Sequence, residues 1–229
     1  MLIDPDTTPP EQLFSLAESA ARIGAAAILV GGSLVCNDDF DKAIRNIKSA
    51  VEIPVVIFPG NGRQISVHAD GILFMSLLSG RNPQYLIGEQ VHAAPIIRKL
   101  GLESISTGYL LIESGCMTSV EFMSNTRPIP RNKPAIAVAH AQAAELMGMA
   151  CIYLEAGSGA QLPVPPEMIK AISNTVSIPV IVGGGIRSTD EAVKAASSGV
   201  RAIVVGTAVE ENGCDLIGEM VSVLRKLKP

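Results

Sequence analysis

The sequence predicts an α/β fold of the (β/α)8 TIM-barrel type, modified by a missing or irregular third helix. Three observations carry this. Short apolar runs rich in Val, Ile and Leu alternate with longer amphipathic stretches along the whole chain. The strings Val51-Glu52-Ile53-Pro54-Val55-Val56-Ile57 and Val176-Ser177-Ile178-Pro179-Val180-Ile181-Val182 are nearly identical. Each closes a helix and opens a strand, so one βα unit is used more than once. Glycines follow strands both early and late, at Gly31-Gly32, Gly60, Gly157, Gly159, Gly183-Gly184-Gly185 and Gly206. That distribution suits a barrel whose mouth is built from many strand ends. A doubly wound open sheet more often carries its one glycine-rich loop early.

The elements follow in order. Strands are expected at residues 26–30, 54–58, 71–75, 104–108, 150–154, 179–182 and 202–205, with a stub at Leu2-Ile3. These runs are continuously apolar, as in strands covered on both faces. Helices are expected at 11–23, 39–51, 83–100, 134–147, 166–175, 189–198 and 214–227. The first follows Pro9-Pro10 and places Leu13, Leu16, Ala17, Ala20 and Ile23 on one face, the pattern of an amphipathic helix with a proline start. Several others end near a glycine (Gly24, Gly101, Gly148, Gly199), where a left-handed cap residue is favoured. The connection 60–70 is too short for a crossover helix, hence the missing third helix. The connection 110–131 is long and carries Arg127-Pro128-Ile129-Pro130-Arg131; such loops are usually lids or interface arms. The run ahead of Asp4 holds about three residues against the usual ~5 of a strand. Either a segment preceding Met1 is missing or the first strand is unusually short.

Composition bounds the function. With 229 residues, 48% of them hydrophobic, the chain can bury a substantial core and is not disordered. It reads as one domain over 1–229. A net charge of −4, without a basic stripe, argues against general nucleic-acid binding. No apolar run approaches the ~18 residues of a membrane span, and the start lacks a leader or signal core. Cys36, Cys116, Cys151 and Cys214 are widely spaced without a CxxC pair, so buried free thiols in a reducing cytosol are expected and the protein is read as cytoplasmic.

Three motifs carry chemistry. Gly183-Gly184-Gly185-Ile186-Arg187 closes one strand and opens a helix, and Gly206-Thr207 closes the next strand. Barrels that hold a phosphate monoester commonly do so with backbone N–H groups of the loops after strands 7 and 8. Tyr153-Leu154-Glu155-Ala156-Gly157-Ser158-Gly159 puts a carboxylate at a strand end beside those loops. Glu155 there can take a proton from a hydroxyl nucleophile, or it can simply pair with a rim cation. Tyr153 can hydrogen-bond substrate, or pack in the core. Asp4, in Asp4-Pro5-Asp6, and Ser33, in Gly31-Gly32-Ser33, end adjacent strands. A carboxylate and a hydroxyl make a sparse Mg2+ shell completed by water and phosphate oxygens; the same residues can equally form turns. The acids of Asn37-Asp38-Asp39-Phe40-Asp41 suit a helix start. His68, His92 and His140 form no ligand spacing, and no Gly-x-Ser-x-Gly elbow occurs.

These motifs, in this order, together with Phe58-Pro59-Gly60-Asn61, Phe74-Met75-Ser76-Leu77-Leu78-Ser79 and Pro128-Ile129-Pro130-Arg131-Asn132-Lys133-Pro134, resemble the geranylgeranylglyceryl phosphate synthase family over essentially the whole chain. The likeness is to the second of that family's two broad groups. It implies a Mg2+-dependent prenyltransferase. The C3 hydroxyl of sn-glycerol 1-phosphate attacks C1 of geranylgeranyl diphosphate, and diphosphate leaves. It implies that Asp4 and Ser33 bind Mg2+. Tyr153, Leu154, Glu155, Ala156, Gly157, Ser158, Gly159, Gly184, Gly185, Gly206 and Thr207 would bind glycerol phosphate, with Glu155 as base beside Tyr153. It also implies a homo-oligomer, dimer or hexamer. A C20 tail needs a groove of roughly 20 Å, and small side chains across the barrel top are expected to leave that room. Two other classes stay open: a phosphate-binding barrel isomerase or synthase of amino-acid or thiamine biosynthesis, and a non-catalytic phosphometabolite-binding barrel.

Overall fold

A computed structural model describes residues 1–34, 39–212 and 215–227, with the side chains of 210–212 left aside. Eight parallel strands form one sheet in sequence order. They are β1 (Leu2–Ile3), β2 (Ile28–Val30), β3 (Val55–Ile57), β4 (Gly71–Leu77), β5 (Glu103–Leu111), β6 (Cys151–Glu155), β7 (Val180–Gly183) and β8 (Ala202–Val204). The two ends meet where Leu2 N–H donates to Val205 O at 2.9 Å. The barrel therefore closes although β1 has only two residues. The helices are α1 (Pro10–Arg22), α2 (Phe40–Ala50), α3 (Glu89–Leu100), α4 (Ser119–Ser124), α5 (Pro134–Leu146), α6 (Pro166–Ser173), α7 (Thr189–Ser197), α8 (Thr207–Asn212) and α9 (Asp215–Leu224).

The continuously apolar strands serve two separate cores. Alternate residues such as Ile28, Val30, Val55, Ile57, Ile152, Leu154, Val180 and Val182 face outward into the layer of helices. Their neighbours Leu29, Val56, Leu73, Ile105, Tyr109, Tyr153 and Ile181 fill the barrel interior. A parallel strand buried on both faces has no polar side to display.

The structure departs from expectation in three places. β5 runs to Leu111 rather than stopping at Gly108. Gly108 marks a close approach instead: a Cβ there would lie 2.8 Å from the Ala144 Cβ of α5. The segment 83–100 is not one α-helix. It opens with a π-helical turn, Gln84–Gly88, in which Gln90 Nε2 donates to Tyr85 O and Ser76 Oγ to Leu86 O at 2.7 Å. These side chains take up carbonyls at the wide turn. The long connection 110–131 holds α4 and folds back, with Ile129 bridged to Ile112. Between β3 and β4 there is no helix, as the short spacing required. Of the cysteines, Cys151 is buried and Cys116 half-buried, both as free thiols; Cys36 and Cys214 lie outside the described residues.

Candidate active site

Glu155 ends β6 with its side chain buried at the barrel mouth. Strand parity aims Tyr153 and Glu155 inward and Leu154 outward. The neighbouring register sets Tyr109 against Tyr153 and Leu111 against Glu155. Glu155 Oε1 accepts the Gly157 N–H at 2.6 Å, and its carboxylate also accepts a hydrogen bond from the Tyr109 hydroxyl. Burial dominates all the same and raises its pKa from the ordinary 4.5 to about 7. Glu155 takes part in none of the ion pairs among the described residues, so the rim-cation reading does not describe it. A carboxyl poised near neutrality is suited to exchange a proton with a hydroxyl.

The Tyr153 and Tyr109 rings stack with centroids 5.6 Å apart and 11° between planes, and Phe58 tilts against Tyr153 at 5.1 Å. Burial first, and then the nearby Glu155, hold both phenols well above their ordinary pKa. Both therefore stay protonated and can serve as hydrogen-bonding groups, not as bases.

Each glycine of the triplet answers a different neighbour. A Cβ on Gly183 would lie 2.2 Å from the Tyr153 hydroxyl, one on Gly184 2.4 Å from Glu155 Oε1, and one on Gly185 2.8 Å from the Leu162 carbonyl carbon. Gly184 and Gly185 also have φ of 82° and 71°, in the left-handed region that L side chains rarely enter. The triplet thus lets the β7 loop lie against the acid. The start of α7 is already capped. Ser188 Oγ accepts from Glu191 N at 3.3 Å, and Glu191 Oε2 accepts from Arg187 N at 2.7 Å and from Ser188 N at 3.1 Å. The amides of Arg187, Ser188 and Glu191 are thus taken up within the cap. The loop glycines themselves remain at the chamber.

A polar-lined chamber of about 860 Å3, open to solvent, is bordered by Asp4, Ser33, Tyr153, Glu155 and the loops holding Gly157, Ser158, Gly159, Gly184, Gly185, Gly206 and Thr207. Nearly every residue singled out in the sequence converges there. Leu154 and Ala156 do not: their side chains pack outward in the helical layer, because alternate residues of a strand face opposite ways. Ser158 Oγ and Thr207 Oγ1 stand 3.4 Å apart, joining the loops after β6 and β8.

Asp4 Oδ1 accepts from Asp6 N at 3.0 Å, so the turn reading of Asp4-Pro5-Asp6 is correct as far as it goes. The other oxygen faces the next strand end. A Cβ on Gly32 would lie 2.2 Å from Asp4 Oδ2, so the carboxylate occupies a cradle that only glycine leaves open, beside Ser33. Among the described residues no three His, Cys, Asp or Glu side chains cluster. One carboxylate and one hydroxyl at a wet mouth nonetheless fit Mg2+, which keeps most of its waters.

Against the chamber lies an apolar groove of about 840 Å3. The two share Gly32, Ser33, Phe58, Tyr109 and Val120. The groove continues past Ile65, Phe74, Ala93 and Ile97, in the gap where a helix between β3 and β4 would pack. The groove lies in the gap left by the missing helix and is lined in part by small residues, Gly60, Gly62 and Ala93 among them, while Phe58, Tyr109 and Tyr153 crowd together across the barrel top. Tyr109 was missed at the sequence level because Gly108 read as a strand end. Extending the strand by its apolar run and following inward parity would have found it.

A barrel with glycine-rich loops, a mouth acid titrating near neutrality and an adjoining greasy groove defines an enzyme that joins a polar, anionic substrate to an apolar one. The chain belongs to the PcrB family, whose profile matches residues 1–224. Among its relatives, the geranylgeranylglyceryl phosphate synthase of Flavobacterium johnsoniae is 51% identical over 212 residues, 93% of this chain and 87% of that protein. The Chitinophaga pinensis protein of the same name is 43% identical, over 100% and 90% respectively. The crystal structure of (S)-3-O-geranylgeranylglyceryl phosphate synthase from Thermoplasma acidophilum, in complex with sn-glycerol-1-phosphate, superposes with a TM-score of 0.94 at 36% identity, covering 99% of this chain and 92% of that one.

Proposed function

We propose that the protein is a prenyltransferase of ether-lipid biosynthesis, carried by one domain over 1–229, that joins geranylgeranyl diphosphate to the C3 hydroxyl of sn-glycerol 1-phosphate. The observation that carries this reading is the placement of Glu155 in a polar chamber that opens onto an apolar groove through shared residues. The T. acidophilum relative, bound to its sn-glycerol-1-phosphate substrate, supports the acceptor.

The chemistry follows from the placement. The phosphate monoester lies against the loops of Gly184, Gly185, Gly206 and Thr207, where backbone amides hold an anion without adding a mobile charge. The glycerol hydroxyl then reaches Glu155. As the oxygen bonds to the prenyl C1, its proton passes to the Glu155 carboxylate, and the C1–O bond to diphosphate breaks with its electron pair on the leaving group. Holding acceptor and donor in adjoining compartments supplies the proximity that a weak alcohol nucleophile needs. Asp4 and Ser33 would hold Mg2+, which when bound supplies charge stabilisation to the departing diphosphate. The tail lies in the groove past Phe74 and Ala93.

We read the enzyme as cytoplasmic from its widely spaced cysteines without a CxxC pair; among the described residues no helix is long and apolar enough to cross a membrane. Exposed apolar side chains such as Ile87, Val91, Phe122, Leu146 and Met147 accord with a homo-oligomer, dimer or hexamer; a monomer mass by light scattering at micromolar concentration would contradict it. The decisive experiment is a turnover assay with glycerol 1-phosphate, its 3-phosphate enantiomer and prenyl diphosphates of several lengths, with and without Mg2+. Saturable, Mg2+-dependent diphosphate release with the 1-phosphate and the C20 donor is expected; no release with any pair rejects the reading.

A further inference from the structure

The loop 58–70, which stands where a crossover helix would be, is not loose. It is pinned by a buried amide, Gln64. Gln64 Oε1 accepts the Gly60 N–H at 3.1 Å, and Gln64 Nε2 donates to the Gly32 carbonyl at 3.0 Å. The two backbone partners settle which way the amide faces, since an N–H needs an acceptor and a carbonyl a donor. One side chain thereby ties the loop after β3 to the loop after β2.

That tie falls beside the site assigned to the metal. Gly32 packs on the Asp4 carboxylate, and Ser33 is the next residue. A Cβ on Gly60 would lie 2.2 Å from Gly32 O and 3.1 Å from Ser33 Cα, so the three loop ends are in direct contact. The peptide between Gly32 and Ser33 can rotate only if Gly32 O leaves Gln64. Losing the Gln64 amide removes that hydrogen bond from Gly32 O. A glutamate could accept from Gly60 but could not donate to Gly32, and an apolar residue could do neither.

We infer that Gln64 is a positioning residue for metal–diphosphate binding: it fixes the Gly32-Ser33 peptide beside the Asp4 carboxylate. The inference rests on the proposed metal role of Asp4 and Ser33. Partners one shell out from a metal typically change its affinity by about 10–100-fold.

The test uses the full chain with Mn2+ and inorganic pyrophosphate as the probe, read by titration calorimetry without turnover. In Gln64→Met, near in size but unable to hydrogen-bond, the Kd for Mn2+–pyrophosphate rises at least about tenfold. The Kd for glycerol 1-phosphate stays within about twofold, since its loops lie across the mouth. Gln64→Glu, which keeps one bond and should fold if Gln64→Met does not, shows the same split. Equal weakening of both ligands, or unchanged Mn2+–pyrophosphate binding, overturns the role of Gln64. Asp4→Asn separates the two levels: if it too leaves Mn2+–pyrophosphate binding intact, or if the unsubstituted protein binds none, the metal assignment itself fails.

Discussion

A methyl group on Gly184 would lie 2.4 Å from Glu155 Oε1, so the residue that opens the β7 loop and the acid that ends β6 share one space. The same carboxylate oxygen takes the Gly157 N–H at 2.6 Å. Acid and glycine loops are therefore one structural unit, and damage to either should register at the other.

Gly184→Ala tests that unit directly. The substitution imposes a left-handed backbone on an L residue, at about 1–2 kcal/mol, and must also displace the Glu155 carboxylate. A lowered melting temperature together with turnover reduced by on the order of 100-fold is expected. An alanine variant with normal melting and turnover would show that the contact is irrelevant.

Glu155→Gln keeps the shape and removes the base. Turnover should fall by on the order of 100-fold or more, while calorimetric binding of glycerol 1-phosphate changes little. Near-normal turnover would remove Glu155 from the proton transfer.

The acidity of Glu155 makes activity and stability move in opposite directions with pH. Its native pKa is raised from 4.5 to about 7, so the folded state holds the proton more tightly than the unfolded chain does. The associated stability is complete below about 4.5 and is lost as pH rises through about 7, a loss of about 3 kcal/mol. Denaturant titrations at pH 5 and pH 8 should show this difference, and Glu155→Gln should abolish it. Over the same window kcat/KM should rise with an apparent pKa near 7, because the base must be unprotonated. A pH-independent kcat/KM between 5.5 and 8 would count against the assignment.

Asp4→Asn removes one ligand charge while sparing the turn formed with Asp6 N. The Mg2+ concentration for half-maximal turnover should rise at least about tenfold, and an unchanged metal requirement would reject Asp4 as a ligand.

Ala93→Phe narrows the groove where α3 borders the gap left by the missing helix. The KM for the C20 donor should rise about tenfold, the scale of a pocket misfit of one or two methylenes, with the KM for glycerol 1-phosphate little changed. If both constants shift together, the groove does not hold the tail.

By itself the sequence determined the barrel, because strand and helix periods, proline starts and glycine ends are local and were all visible. It also placed Asp4, Ser33, Glu155 and the glycine loops at the mouth, since the end of a strand in this fold is the mouth. It reached Leu154 and Ala156 only as members of a string, and strand parity sends both outward. Tertiary structure decided the rest. The pKa of Glu155 depends on burial by several strands at once. Each glycine of the triplet is required by a different neighbour: Tyr153, Glu155 and the Leu162 backbone. Tyr109 reaches Glu155 from another strand, and Gln64 reaches Gly32 across 32 residues of chain. The groove lies where a helix is absent, and only the packed fold shows what lines that gap. Local patterns encode which element a residue joins; what its side chain meets depends on contacts between segments far apart in the chain.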